Sequence, residues 1–200
     1  MKKTLLKIIV TLFVVTAVIL AIFFIFLKKQ SEILPQNKTA GWLTYGNEKF
    51  GYSVNYPNDW VFREFPDTQT GAGFRPLSSP EEISSECVTI DLRSAPTNYS
   101  DIPFVEYVRK AAVEEIQNYE KLNSMESVTT TSGIVGYKTT WLYRTMGGQE
   151  KISLPITYFE NNKTVQMNYG LFKAKTVQII LNGENCEDTY NSMISSFRKY

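Results

Sequence analysis

The sequence contains no histidine and only two cysteines among its 200 residues. The lack of histidine excludes catalysis by an imidazole base and zinc sites built on histidine ligands. A large excess of basic residues is also missing. Five of the 21 basic residues lie in residues 1–29, which leaves 16 basic against 20 acidic residues and a net charge of −4 for the remainder. We therefore expect no nucleic-acid partner, because such binding needs a basic face that displaces counterions.

One long apolar run is present, at residues 8–27. These twenty positions carry no charge, and sixteen of them are Ile, Val, Leu or Phe. A helix of this length spans about 30 Å, the thickness of the bilayer hydrocarbon. No pair of small residues follows at the spacing of a cleavage site, so we expect an uncleaved signal anchor. Lysines are more numerous before the run than after it, which predicts a cytoplasmic N-terminus and an extracytoplasmic C-terminal domain in the cell membrane.

The chain is predicted to have three parts. Residues 1–29 form the signal anchor, with the transmembrane helix at about 8–27. Residues 30–40 are polar, contain Pro35 and are typical of a linker. Residues 41–200 form one domain that holds 23 of the 27 aromatic residues: all three Trp, all twelve Tyr and the eight Phe outside the run. That number is sufficient for a sizeable hydrophobic core.

The two cysteines, Cys87 and Cys186, both lie in the predicted extracytoplasmic domain. An exported pair of this kind favours one disulfide. The bond would close a loop of about 100 residues, which is worth about 4–5 kcal/mol in the chain-entropy model. The alternative is two free buried thiols. A catalytic thiol is not expected, because no histidine is present to activate it.

Strand patterns dominate the domain. Apolar residues alternate with small or polar ones over residues 50–56, Pro57 to Asp59 interrupt the pattern, and Trp60–Glu64 resumes it. This arrangement predicts a hairpin. Short connections between further strands predict a mainly antiparallel sheet. The further strand candidates are Cys87–Arg93, Ser127–Thr131, Gly136–Thr145, Ile152–Glu160, Thr164–Tyr169 and Thr176–Leu181.

Two helices are predicted. The first begins near Pro103, and the second covers about Cys186 to Phe197. Each has one apolar stripe at spacings of three and four, as expected for a helix that packs on a sheet. The first stripe consists of Ile102, Val105, Val108, Ala112, Ile116 and Tyr119, and the second of Tyr190, Met193, Ile194 and Phe197. The predicted fold class is α+β.

The two ends of the domain resemble PsbP-like domains. The segment FGYSVNYPNDW at residues 50–60 is similar to their first strand, Tyr-Pro turn and tryptophan, and YNSMISSF at residues 190–197 is similar to their terminal helix. The resemblance covers most of residues 42–200 and is greatest to uncharacterised membrane-anchored bacterial members. It implies a three-layer α-β-α sandwich with a mainly antiparallel sheet. It also implies a binding role more often than catalysis, which is an analogy at the level of fold.

Residues 66–86 contain two glycines and two prolines besides Pro66 and are predicted to be one long loop. Loops of this length are often functional. Phe74, Arg75 and Leu77 are therefore candidates to rim a pocket or to meet a partner, the alternative being a surface loop without a role.

Other patterns favour structural roles. Three acidic residues in Glu184–Asp188 suit the start of a helix better than a metal site. Six aromatic residues are more typical of a core than of a ligand site: Trp42, Tyr45, Trp60, Phe62, Trp141 and Tyr143. We predict no catalytic residue, no metal site and no cofactor.

These observations predict a membrane-anchored, extracytoplasmic interaction module that is not an enzyme. It would dock on a membrane complex or on another component of the cell envelope. The alternative is an envelope domain that binds a small molecule or lipid in a pocket between sheet and helix.

Overall fold

The structure is a computed structural model that describes residues 40–65, 70–82, 85–94, 101–115, 119–145, 147–167 and 170–200, with backbone alone at 111–115 and 119. The predicted anchor at about 8–27 and nearly all of the predicted linker lie outside these residues. Within the part that is described, no helix is long and apolar enough to cross a membrane.

A large antiparallel sheet forms the centre of the domain. Its strand order is β3-β4-β5-β12-β9-β7-β6, and β8 pairs with β7. The inner strands are buried at nearly every position because both faces of the sheet are covered there, as in Ile156–Glu160 and Thr176–Leu181. The strands are β3 (Trp60–Glu64), β4 (Ala72–Pro76), β5 (Val88–Arg93), β6 (Tyr119–Thr129), β7 (Val135–Arg144), β8 (Glu150–Ile152), β9 (Ile156–Glu160) and β12 (Thr176–Leu181).

Two smaller antiparallel sheets accompany it. One has the order β1-β2-β13, from Leu43–Asn47, Tyr52–Tyr56 and Arg198–Lys199, and the other is a hairpin of β10 (Thr164–Met167) and β11 (Gly170–Lys173). The turn between β1 and β2 needs a glycine at Gly51, where φ is +66° and a Cβ would meet both Lys163 and the Tyr200 carbonyl.

The helices lie on opposite faces of the large sheet. Helix α1 (Phe104–Glu115) packs Tyr107 and Val108 against Trp141, Ile156 and Tyr158. Helix α2 (Glu187–Ser196) and the β1-β2-β13 sheet cover the other face. The core on that side contains the buried residues of α2 together with Tyr52, Val54, Phe74, Ile90, Phe159, Val177, Ile179 and Phe197.

The antiparallel α+β architecture is confirmed, but the domain is richer in β-structure than the expected three-layer α-β-α sandwich. One outer layer is the single helix α1. The other outer layer is shared between α2 and a three-stranded sheet. The expectation of two helical layers was wrong because strand β1 and the short pairing of β13 with β2 were not recognised.

Two local predictions also require correction. Strands β2 and β3 do not form a hairpin, because Pro57–Asp59 carries the chain from the small sheet into the large one. Residues 66–86 are not one long loop, because Ala72–Pro76 is strand β4 and pairs with both β3 and β5. Glycine and proline in a strand that is central to the sheet concealed its pattern.

The first helix is shorter than its predicted stripe. It ends at Glu115, and Tyr119 begins strand β6, which is much longer than the predicted Ser127–Thr131. Ser153 to Pro155 also divide the predicted strand Ile152–Glu160 into β8 and β9. Strands β3 and β12 have the predicted bounds. The second helix buries Tyr190, Met193 and Ile194, and Phe197 is buried directly after it.

Candidate interaction surfaces

The three predicted interaction residues belong to β4 and the turn that follows it. Phe74 is fully buried, so it cannot contact a partner as the loop prediction required. Arg75 is half-buried and donates a hydrogen bond to the Ser79 carbonyl at 2.8 Å. Leu77 is 67% exposed. Of the three, Leu77 alone has the exposure expected of an apolar contact residue.

Phe74 belongs to a cluster of four aromatic rings where β1, β2 and β3 meet. Its ring lies 5.5 Å from the ring of Tyr45 and 5.4 Å from that of Tyr56. Phe62 completes the cluster, with centroids 5.0 Å from Tyr45 and 5.8 Å from Tyr56. These tilted and edge-on contacts fix the rings relative to one another. The cluster is therefore a rigid base beneath the surface.

Three exposed apolar side chains lie on the strands that carry this cluster or on the turn after β4, and are here called the apolar edge: Leu43, Phe62 (itself the exposed member of the cluster) and Leu77. They are 47%, 41% and 67% exposed. Leu43 is on β1 and Phe62 on β3, and these are end strands of the sheets that the structure describes. The Leu77 amide is bound to the Asp59 carbonyl at 2.9 Å, which fixes the turn that carries Leu77. Exposed apolar groups on an ordered base are typical of an interaction surface.

A tyrosine hydroxyl is enclosed beneath the apolar edge. The Tyr45 side chain is 3% exposed, and its Oη has no hydrogen-bond partner of good geometry among the described residues. Burial is the main cause that raises the pKa of Tyr45, and the charge of Glu64 raises it further, while Asn47 opposes the shift. The hydroxyl therefore stays neutral at physiological pH.

The opposite face of the β3–β4 edge carries an ion pair. Glu86 is almost fully buried and binds Arg63, whose side chain is 43% exposed. The carboxylate lies over Gly73, where a Cβ would overlap it. The pair consists of one buried acid and one cation that neutralises it, so we interpret it as a structural ion pair. Among the residues that the structure describes, no group of three or more acidic, histidine or cysteine side chains can hold a metal ion.

Cys87 and Cys186 form a disulfide in the structure, with Cα atoms 5.8 Å apart. This supports the bridge favoured by the sequence. The bond joins the residue before β5 to the residue before α2. It therefore links the large sheet covalently to the helix that covers one of its faces.

Charge is separated along the central strands. At the Val88–Leu181 end lies the disulfide, with Glu184, Glu187 and Asp188 exposed beside it. We call this the stapled end. At the opposite end Arg93 pairs with Thr176, and the neighbouring residues are rich in lysine. We call this the basic end, and its cations are Lys49, Arg93, Lys163, Lys173, Lys175, Arg198 and Lys199.

Contacts in the structure bring the cations of the basic end together. The backbone amide of Asn161 donates to the Lys175 carbonyl, and the backbone amide of Lys175 donates to the Arg93 carbonyl, both at 2.8 Å. Lys163 lies over the Tyr200 ring, and Lys199 binds the Glu160 carbonyl at 2.8 Å. Fewer acids lie here: Glu48, Asp91 and Glu160. The sequence did not indicate this surface, because the residues are up to 150 positions apart and only the strand register unites them.

The six aromatic residues considered for a ligand site do not line one site. Trp141 is in the core beneath α1, whereas Tyr45 is in the core on the α2 side, with Trp42 and Trp60 packed against it. The large sheet separates the two groups.

Comparison with known proteins gives one family. The family model described as PsbP-like protein matches residues 4–198. No curated protein matches the sequence. Among solved structures, the solution structure of cyanobacterial PsbP from Synechocystis sp. PCC 6803 is 16% identical, with a TM-score of 0.45 over 80% of this chain and 94% of that one. The Ran-binding protein Mog1p of Saccharomyces cerevisiae is 13% identical, with a TM-score of 0.45 over 79% and 95% of the two chains.

Proposed function

The chain belongs to the family of PsbP-like proteins, and from this membership we propose that it is a membrane-anchored, extracytoplasmic and non-catalytic interaction module. Its domain would bind another protein of the cell envelope through the apolar edge. The observation that carries the proposal is the exposure of Leu43, Phe62 and Leu77 above a fixed aromatic cluster.

The anchor is proposed from the uncharged residues 8–27 and their flanking lysines. The disulfide between Cys87 and Cys186 supports an oxidising compartment, because such bonds persist outside the cytoplasm. An anchored domain meets envelope partners at a high local concentration. A modest apolar surface is then sufficient for binding.

The apolar edge suits a protein partner for two reasons. Phe62 is held between Tyr45 and Tyr56, so little conformational entropy is lost when a partner covers it. Glu64, two residues further on β3 and therefore on the same face, is exposed and gives the apolar centre a charged neighbour. An apolar centre with a polar rim is the usual composition of a protein interface.

Site-specific photo-crosslinking in host membranes tests this role. A photoreactive amino acid replaces Leu77 in the full-length chain, and the matched control carries it at Ile152, which is 57% exposed on β8. We expect one protein to be cross-linked from position 77 and not from position 152. Phe62→Ser should reduce the yield about tenfold or more, the loss typical of an interface anchor. Equal labelling from both positions, or no protein adduct from position 77, would contradict docking at the apolar edge.

The topology is tested separately with two fusion proteins. A reporter enzyme that is active only outside the cytoplasm is joined after Tyr200 in the first and before Met1 in the second. The proposal expects activity from the C-terminal fusion alone. Activity from the N-terminal fusion alone would reverse the orientation, and release of the C-terminal fusion into the medium would show cleavage after the anchor.

A further inference from the structure

The hairpin of β10 and β11 forms a sheet of its own at the basic end. Leu171 on β11 is 75% exposed, the greatest exposure of the large apolar side chains in the described part of the chain. Lys173 lies two residues further on the same strand, and Lys163 directly precedes β10. Both lysines are exposed. The hairpin therefore combines an apolar side chain with cations at its base.

The hairpin is held in a fixed position. Phe172, the neighbour of Leu171, faces the opposite side and meets the ring of Phe50 edge-on at 5.8 Å. The Ala174 amide binds the Lys163 carbonyl at 2.9 Å and closes the base of the hairpin. Since alternate residues of a strand point to opposite faces, packing of Phe172 leaves Leu171 directed outward.

We propose that the basic end binds the anionic headgroups of a lipid bilayer, with Leu171 inserted between them. Clustered lysines are attracted to an anionic surface, and an exposed leucine beside them gains burial in the interface. This contact is distinct from protein docking at the apolar edge, although it rests on the proposed anchor, which holds the domain close to the membrane.

The chain length permits this contact. The predicted linker of residues 30–40 can extend to about 36 Å. Strand β1 begins at Leu43 and leads to the basic end over about 13 Å of strand, because Asn47 pairs with Tyr52 beside Gly51. The linker is therefore long enough for the basic end to reach the bilayer. The acids beside the disulfide would be repelled by the same surface, so the charge separation favours one orientation.

Lipid fits these observations better than an acidic protein. An acidic protein would need both carboxylates matched to these particular lysines and an apolar pocket matched to Leu171. A bilayer accepts cations at many positions and buries an apolar tip beside them.

Fluorescence quenching in nanodiscs tests the proposal with the full-length chain. Gln166, which pairs with Leu171 on the hairpin, is replaced by cysteine and labelled without reduction of the native disulfide. The control label is at Ser78, an exposed residue at the stapled end. Discs of phosphatidylcholine alone are compared with discs of phosphatidylcholine and phosphatidylglycerol in equal parts. Each set contains a lipid with a nitroxide on its headgroup.

We expect strong quenching at position 166 in the anionic discs, little in neutral discs, and little at position 78 in either. Each lysine near an anionic surface changes partitioning about fivefold, so Lys163→Glu with Lys173→Glu should reduce the contacting population by at least about 25-fold. Addition of Leu171→Ser to the double variant should reduce the contacting population further. Lys121→Glu and Ile152→Ser serve as matched controls on other exposed positions.

High salt should also abolish the quenching, because it screens exposed charges. Equal quenching in neutral and anionic discs would overturn the proposal, as would a double variant that behaves like the wild type. A change in the fluorescence of the label at position 166 that requires an added envelope protein, and not anionic lipid, would overturn the proposal in favour of an acidic protein partner.

Discussion

The two ends of the central strands are held by different means. At the stapled end, Cys87 and Cys186 link the sheet to α2 covalently, and the Asn182 amide binds the Cys87 carbonyl at 2.8 Å. At the basic end, non-covalent contacts join the segments, and Asn161 makes several of the hydrogen bonds. The stapled end is acidic, whereas the basic end carries seven cations.

The difference separates the end that a covalent bond holds from the end that we propose to contact anionic lipid. A covalent link tolerates the mutual repulsion of nearby acids, because it limits how far the segments move apart. The basic end has no such link among the described residues. There, the buried side-chain amide of Asn161 joins the segments by hydrogen bonds. Clustered lysines repel one another there, and a bound anionic surface would relieve that repulsion.

Removal of the disulfide should have the largest effect. The bond spans a sequence separation of 99, so Cys87→Ala with Cys186→Ala should lower the free energy of unfolding by about 4–5 kcal/mol in the chain-entropy model. Urea unfolding followed by tryptophan fluorescence measures the change. A reducing agent should lower the stability of the wild type similarly and leave the double variant unaffected. If reduction leaves the wild type unchanged, the bond does not stabilise this end.

Asn161→Ala tests the basic end. The side chain is 2% exposed, donates from Nδ2 to the Phe50 carbonyl at 3.1 Å and accepts from the Lys163 amide at 2.9 Å. Its removal leaves the buried Phe50 carbonyl and the partly buried Lys163 backbone amide unpaired, so stability should fall by about 1–3 kcal/mol. The neighbouring exposed Asn162→Ala is the control and should change stability by less than about 0.5 kcal/mol. Equal effects of the two variants would show that the amide does not close this end.

Gly73→Ala tests the charge at the stapled end. A Cβ at position 73 would displace the Glu86 carboxylate from its contact with Arg63. We expect a loss of about 1–2 kcal/mol in the wild type. In a Glu86→Ala background the same substitution should cost much less, because the overlapping group has gone. A double-mutant cycle measures this coupling, and strictly additive effects would rule it out.

High pH should also lower the free energy of unfolding of the domain. Burial is the first cause that raises the pKa of Tyr52 near the basic end and of Tyr190 on α2. Below the ordinary tyrosine pKa of 10.0 both states of the protein keep these protons, so the stabilisation is fully present. Above it the unfolded chain ionises first, and stability falls by at most about 1.4 kcal/mol per pH unit for each buried tyrosine.

Urea unfolding between pH 8 and about 11 measures this slope. Tyr190→Phe should reduce the slope, although it also removes the hydrogen bond between Tyr190 and Thr157. The exposed Tyr200→Phe is the control and should leave the slope unchanged. Identical slopes for all three proteins would contradict a role for the buried phenol.

The sequence predicted elements whose pattern is set by local burial. Strand β12 alternates between two covered faces, and α2 has an apolar stripe with acids in its first turn, so both were recognised. Strand β4 is not predicted because position 73 is a glycine. The glycine is needed there because a Cβ would overlap the carboxylate of Glu86, a residue 13 positions away. Such a requirement comes from tertiary packing and leaves no periodic signal.

The surfaces were harder to predict than the core. The sequence identifies Leu77 as a candidate, and Leu77 is exposed. Phe74, three positions earlier, is buried because it lies on β4 and packs into the aromatic cluster, whereas the sequence pattern predicts a loop there. Leu43 and Leu171 gave no signal, since a single leucine is apolar whether it is buried or exposed. The basic end depends on the register of β5, β9 and β12, which composition does not contain.

The pairing of β2 with the region around β13 has a consequence for the time the domain takes to fold. The Asn55 amide binds the Ser196 hydroxyl across 141 positions of sequence, and Ser53 pairs with Arg198. Contacts between such distant residues form slowly, because the entropy of closing a long loop is lost before they stabilise the chain. The β2–β13 pairing should therefore form after the more local pairings of β1 with β2 and of β9 with β12. Until it does, the apolar face that carries Phe74, Ile90 and Phe159 is incompletely covered, and aggregation of the chain should be most rapid in this interval.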